Sequence, residues 1–309
     1  MCDFGFSDTS LFDYEEDRDG EDLLVEFLWP FVSSKPVEQR PRVALVLSGG
    51  GARGISQVGV GRVIQREKIP VDLVVGTSVG AVVGAFYCAG VCFERLDDLA
   101  KNLKLTDISD FSYLSFIRVF LVEKIFSNAN LEKFVNKNIG EISFDQLQIP
   151  LICVTTDLNT GERVLLKEGS VAFAARASTA IPGVCRPVEY RQRYLVDGGI
   201  SENIPVSVAR IFGMDVIIAV AVDPNITKNN VGKVFQTFVQ AMYIQGNIMN
   251  QNSLSMADIV IRPEVGSLSI FDFKNAYETV DNGSAAATCC VKDIKKIIIN
   301  KMAEKYLLE

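Results

Sequence analysis

Two apolar runs, residues 43–47 and 71–75, each pass through a glycine-rich turn into a helical stretch. This repeated strand-turn-helix order limits the chain to few architectures, because continuously apolar strands must be buried on both faces. Similar runs lie at 151–155, 194–196 and 216–222, with a shorter one at 259–261, and helices are expected near 55–68, 78–90, 204–212, 233–250 and 274–306. Strands separated by helices imply an α/β fold with a mainly parallel sheet covered on both faces. The 309 residues suit one large α/β domain or two smaller ones, and 48% hydrophobic residues supply a sizeable core.

Residues 73–93 contain no charge over a length that could span a bilayer. Four glycines and a serine in a turn-like stretch favour a buried strand-turn-helix over a membrane span. The first 40 residues hold 11 Asp and Glu against 3 Lys and Arg, so the net charge of −7 resides there and the other 269 residues are nearly neutral. A neutral body lacks the basic footprint of a nucleic-acid binder. Residues 1–22 read as an acidic tail, and residues 23–31 (LLVEFLWPF) are too apolar to remain in water, so they dock on their own domain or on a partner. Two units are therefore expected: tail and docking segment over 1–40, and the main domain over 41–309. No basic stretch followed by an apolar core opens the chain, so no secretory signal is expected and the cytoplasm is the default compartment. The seven cysteines form no C-x-x-C pair and lie mostly in apolar runs, which suggests reduced, buried thiols.

The chain has no histidine. Ser-His-Asp and Cys-His hydrolases, His-ligated metal sites and a histidine general base are thereby excluded. The first turn, Gly49-Gly50-Gly51-Ala52-Arg53-Gly54, satisfies G-x-G-x-x-G through Gly49, Gly51 and Gly54, as a dinucleotide site would. The acidic residue such a site needs would be Asp72, but Asp72 stands at the beginning of its strand instead of the end, which weakens an oxidoreductase reading. The second turn, Gly76-Thr77-Ser78-Val79-Gly80, fits G-x-S-x-G between a strand and a helix, the context of a nucleophile elbow. Small flanking residues accommodate a strained serine, and the helix start favours a developing oxyanion.

Without histidine, a carboxylate must activate Ser78 directly. Asp197, followed by Gly198 and Gly199 after the strand at 194–196, is the best candidate, and Asp157 and Asp223 are rivals at other strand ends. A turn-forming Asx role for Asp197 explains the same residues equally well.

These motifs, together with Ala177-Ser178 through Pro182 and with Asn203 and Pro205, resemble the patatin-like phospholipase family, especially its bacterial and neuropathy-target-esterase-type branch. The resemblance runs from about residue 43 to 287. It implies a three-layer α/β/α sandwich with a Ser78–Asp197 dyad and oxyanion-hole amides from Gly50 and Gly51. Arg53 would orient the loop or meet a lipid phosphate. Gln57 stands where many members of this branch have histidine, a departure expected to alter local hydrogen bonding without abolishing catalysis.

The implied activity is acyl-lipid hydrolysis of the phospholipase A or lysophospholipase type, requiring no metal or cofactor, with peripheral membrane contact and no nucleic-acid partner. Residues 111–126, apolar around Phe116 and Phe120, would form either a core helix or the wall of an acyl groove. The alternatives are a non-catalytic lipid- or partner-binding module of the same fold and, further off, the dinucleotide-binding oxidoreductase.

Overall fold

The computed structural model describes residues 13–103, 127–222 and 234–307. An N-terminal helix α1 (Asp13–Ser33) precedes strand β1 (Val43–Leu47), a 3-10 turn (Gly51–Ile55), α2 (Ser56–Arg66), β2 (Leu73–Thr77), α3 (Val79–Cys88) and α4 (Phe93–Asn102). There follow α5 (Ala129–Ile139), β3 (Leu151–Asp157), β4 (Arg163–Leu166), α6 (Val171–Ser178), β5 (Val188–Tyr190) and β6 (Arg193–Asp197). The chain continues through α7 (Val206–Ile211), β7 (Val216–Val220), α8 (Val234–Leu254), β8 (Ile259–Ile261) and α9 (Thr279–Leu307).

The described strands form one sheet in the order β5-β6-β3-β2-β1-β7-β8, with β4 also on β3. Strands β3, β2, β1, β7 and β8 are parallel to their neighbours in that series. By contrast, β4, β5 and β6 pair antiparallel. Side chains alternate across β1: Val43, Leu45 and Leu47 pack with Val58 and Val63 of α2 and Ile294 and Ile298 of α9, whereas Ala44 and Val46 pack with Val206 and Val208 of α7. Alternate residues of a strand point to opposite faces, so two cores, one on each side of the sheet, make the three layers.

Strand β2 begins two residues later than the sequence suggests and runs to Thr77. Its predecessor Asp72 is held by Arg40 through bonds of 2.6 and 2.8 Å and accepts the Val43 N–H at 2.8 Å. Asp72 therefore locks the N-terminal edge of the sheet and stands far from any ligand at the glycine turn. The charge-free stretch divides into β2, a turn and α3, and among the described residues no helix is long and apolar enough to cross a membrane. Burial holds for Cys88, Cys153 and Cys185, but Cys92 and Cys289 are exposed, which corrects the expectation for those two. Cys92 caps the start of α4 and Cys289 lies on the outer face of α9, positions that an apolar run does not reveal.

Residues 13–33 form one helix, so the acidic stretch and the apolar stretch that follows it share an element. Its Val25, Trp29 and Val32 are buried. Trp29 Nε1 donates to the Glu67 carbonyl at 3.0 Å. Lys295 of α9 reaches Glu67 at 3.1 Å and Glu26 at 3.5 Å.

Candidate active site

Strand β2 ends in a sharp turn whose pivot is Ser78, with φ 53° and ψ −125°. A non-glycine residue in this region carries backbone strain of order 1–3 kcal/mol, which surrounding contacts must offset. Those contacts are present. The Ser78 N–H donates to Ser178 Oγ at 2.8 Å, and Ser178 Oγ donates onward to the Val154 carbonyl at 2.6 Å. Thr77 Oγ1 donates to the Glu202 carbonyl at 3.0 Å. At Gly76 a Cβ would lie 2.6 Å from Ala81 N, so only glycine lets the helix fold back so closely.

Sheet register brings the carboxylate to the serine. Thr77 pairs with Val154 across β2 and β3, and Thr155 pairs with Asp197 across β3 and β6. Because β4 pairs with all of residues 153–156, β2 and β6 share the other edge of β3 end to end, and Ser78, one residue beyond Thr77, arrives beside Asp197. The Ser78 and Asp197 side chains line the same cleft, close enough for the Ser78 hydroxyl to lower the Asp197 carboxyl. Asp197 Oδ1 also accepts the Gly199 N–H at 2.8 Å. Burial pushes the Asp197 carboxyl up to about 6, while Ser78 and the Gly199 N–H oppose that rise.

The rival Asp157 is committed elsewhere. It pairs with Arg193 at 3.3 Å and accepts the Asn159 N–H at 3.0 Å. Asp223 lies outside the described residues, as do residues 111–126.

The glycine turn reaches over Ser78 from β1. The Gly49 N–H donates to the Asn203 carbonyl at 3.1 Å, and a Cβ on Gly49 would sit 3.2 Å from Ser78 Cβ. Gly51 has φ 56°, and a Cβ there would meet Ile270 Cβ at 2.8 Å. Leading amides of a helical turn have no intrahelical acceptor. No acceptor among the described residues takes the Gly50 or Gly51 N–H. The loop is held from beneath by Gln57, whose Nε2 donates to the Ser48 carbonyl at 2.9 Å while its buried Oε1 has no partner among the described residues. Arg53 is buried, and its Nε donates to the Gly50 carbonyl at 3.4 Å. The side chain thus holds the loop and also lines the cleft beside it.

Two clefts meet at Ser78, sharing Gly51, Ile181 and Ile270 as well. One, of about 1100 Å³, is apolar and lined by Val82, Phe86, Leu96, Leu99 and Phe134 among others. The second, of about 860 Å³, holds the polar groups of Arg53, Asp197, Asn203, Asn247 and Asn250. Cys185 borders the apolar cleft, but burial pushes its thiol up to about 11, so it is protonated at neutral pH and no rival nucleophile. Among the described residues no cluster of His, Cys, Asp or Glu could hold a metal ion.

Sequence reasoning gave Ser178 and Asn203 no role of their own. Their partners, Ser78 and Gly49, lie 100 residues or more away in the chain, beyond any local pattern. The motif strings around them were the available signal.

The patatin-like phospholipase family model matches residues 45–210, an interval that includes both glycine-bearing turns and Asp197. An uncharacterized NTE family protein of Mycobacterium tuberculosis is 37% identical over 194 residues, 60% of this chain and 49% of that protein. Patatin-like phospholipase domain-containing protein 6 of Homo sapiens is 32% identical over 190 residues, 58% of this chain and 13% of that protein. The chain thus spans about half, or much less, of the length of these relatives. Among solved structures, VipD from Legionella pneumophila shares the fold with a TM-score of 0.55 at 17% identity, over 82% of this chain and 67% of that one. With more than half of its length matched, and with the strand, turn and carboxylate in that order, this chain belongs to the patatin-like phospholipase family.

Proposed function

We propose that this protein hydrolyses acyl esters of lipids, as a phospholipase A or lysophospholipase, with Ser78 as nucleophile and Asp197 as its base. The observation that carries the reading is Ser78 beside the buried Asp197 carboxylate, where an almost wholly apolar cleft meets one that carries more polar groups. An acyl lipid has the same division, and each methylene buried in the apolar cleft contributes about 0.8 kcal/mol.

Ser78 Oγ attacks the ester carbonyl as Asp197 takes its proton, forming the new C–O bond and placing negative charge on the carbonyl oxygen. The unpartnered amides of Gly50 and Gly51 are suited to hold that oxyanion, each such donor contributing roughly 3 kcal/mol to barrier lowering. Collapse breaks the original ester C–O bond, and Asp197 returns the proton to the leaving alcohol. Water then attacks the acyl-serine with Asp197 as base, releasing the fatty acid. An aspartate at its ordinary value of 3.8 is a weak base, so the burial that raises Asp197 assists the transfer.

The test is labelling by a fluorophosphonate, followed by intact mass. The reading predicts one adduct on the wild-type chain and none on Ser78→Ala. An unlabelled wild-type chain that still binds lipid would mark a non-catalytic module of the same fold.

A further inference from the structure

Helix α1 carries apolar side chains on two opposite faces, and only one is covered. At 3.6 residues per turn, Leu23, Leu24, Phe27 and Phe31 fall within about 100° of arc, centred roughly 150° from the docked Val25, Trp29 and Val32. The outer four are 73%, 55%, 80% and 55% exposed. The charges between the faces are engaged: Asp22 pairs with Lys292, and Glu26 with Lys295. A contiguous apolar stripe of this kind marks an interaction surface.

We propose that this stripe is a self-association face, on which α1 of a second copy packs antiparallel about a twofold axis near Phe27. Charge favours that occupant. Residues 13–22 hold seven Asp and Glu against one Arg, whereas at the other end of the helix Lys35 and Lys305 outnumber Glu38, and Glu304 is paired with Lys301. Lys35 sits 4.0 Å over the Phe31 ring, and Lys305 donates to the Glu38 carbonyl. An antiparallel pair sets the acidic end of each copy against the basic end of the other.

Position disfavours a bilayer. Helix α2 leads away from the glycine turn for about 16 Å, and Trp29 is tied to Glu67 just beyond its end. The stripe therefore flanks the N-terminal edge of the sheet, opposite the edge that carries Ser78. An acidic helix also repels anionic headgroups. The patch is smaller than the roughly 800 Å² per partner of a standard interface, so the dimer is expected to be weak, in the micromolar range.

Sedimentation equilibrium of the full chain over a concentration series tests this. A monomer–dimer equilibrium is expected, with Phe27→Glu raising the dissociation constant at least about tenfold and Lys35→Glu raising it severalfold. Both side chains project outward, and Leu23→Ser is a second variant that should act like Phe27→Glu. A monomer at every concentration, or a dimer indifferent to both Phe27→Glu and Leu23→Ser, overturns the proposal. So does a monomer that floats with phosphatidylcholine vesicles only while Phe27 is intact, which would give the stripe to a membrane.

Discussion

The parallel centre of the sheet and its antiparallel edge supply different halves of the site. Strands β1 and β2 are buried along their whole length and end in the glycine turn and in Ser78. The antiparallel strands β4, β5 and β6 are partly exposed, yet β6 delivers Asp197. The centre is positioned by burial on both faces. The edge is positioned by register with β3 and by a few side-chain bonds, so the pairing of Ser78 with Asp197 is only as secure as those bonds.

If that division is right, the largest effect comes from the edge's own carboxylate. Asp197→Asn should lower kcat by roughly 10⁴-fold with little change in KM, as loss of a proton-handling carboxylate does elsewhere. On the central side, Gly51→Ala forces a side chain into a positive-φ position against Ile270 and displaces the amides above Ser78. Steady-state kinetics should show a loss of about 10²–10³-fold in kcat. Ser178→Ala cuts the bridge from Ser78 to Val154 of β3, leaving the buried Ser78 N–H unpaired. It should cost about 1–3 kcal/mol in denaturant unfolding and about tenfold in kcat. The smallest effect on kcat is expected from Asp157→Asn, because the buried Asp157 is committed to Arg193 and the Asn159 N–H and not to Ser78: kcat should stay within about twofold of wild type.

The same contrast explains what could be read in advance. Strands β1 and β8 coincide with the expected runs because nothing but apolar residues fills them. Strands β4 and β5 escaped notice: Arg163–Leu166 and Val188–Tyr190 are short and mixed in polarity, as half-exposed antiparallel strands are. Helices α4, α5 and α6 were also missed, since α4 and α5 are short and rich in charge and α6 is a run of small residues. The elbow was legible because G-x-S-x-G stood between a strand and a helix. Asp197 was legible only as one of two readings: the carboxylate accepts the Gly199 amide as an Asx turn does, and it also lines the cleft beside Ser78, as the proposed base must. The anchoring of Ser78 by Ser178 was not legible, since a contact across 100 residues leaves no periodic trace.

The elevated carboxyl at Asp197 has opposite consequences for stability and for the proposed chemistry. Its folded-state value, about 6, exceeds its ordinary 3.8. The folded state therefore binds the proton more tightly, and about 3 kcal/mol of stability present below pH 4 is lost as pH rises through 6. Proton acceptance from Ser78 requires the ionised form, so activity should rise over the same interval. The most direct measurement is the rate of Ser78 acylation in a single turnover as a function of pH. The account predicts a rise with an apparent midpoint near 6 and a plateau above it, absent in Asp197→Asn. A wild-type rate that is flat from pH 5 to 8, or an identical profile in Asp197→Asn, would contradict it.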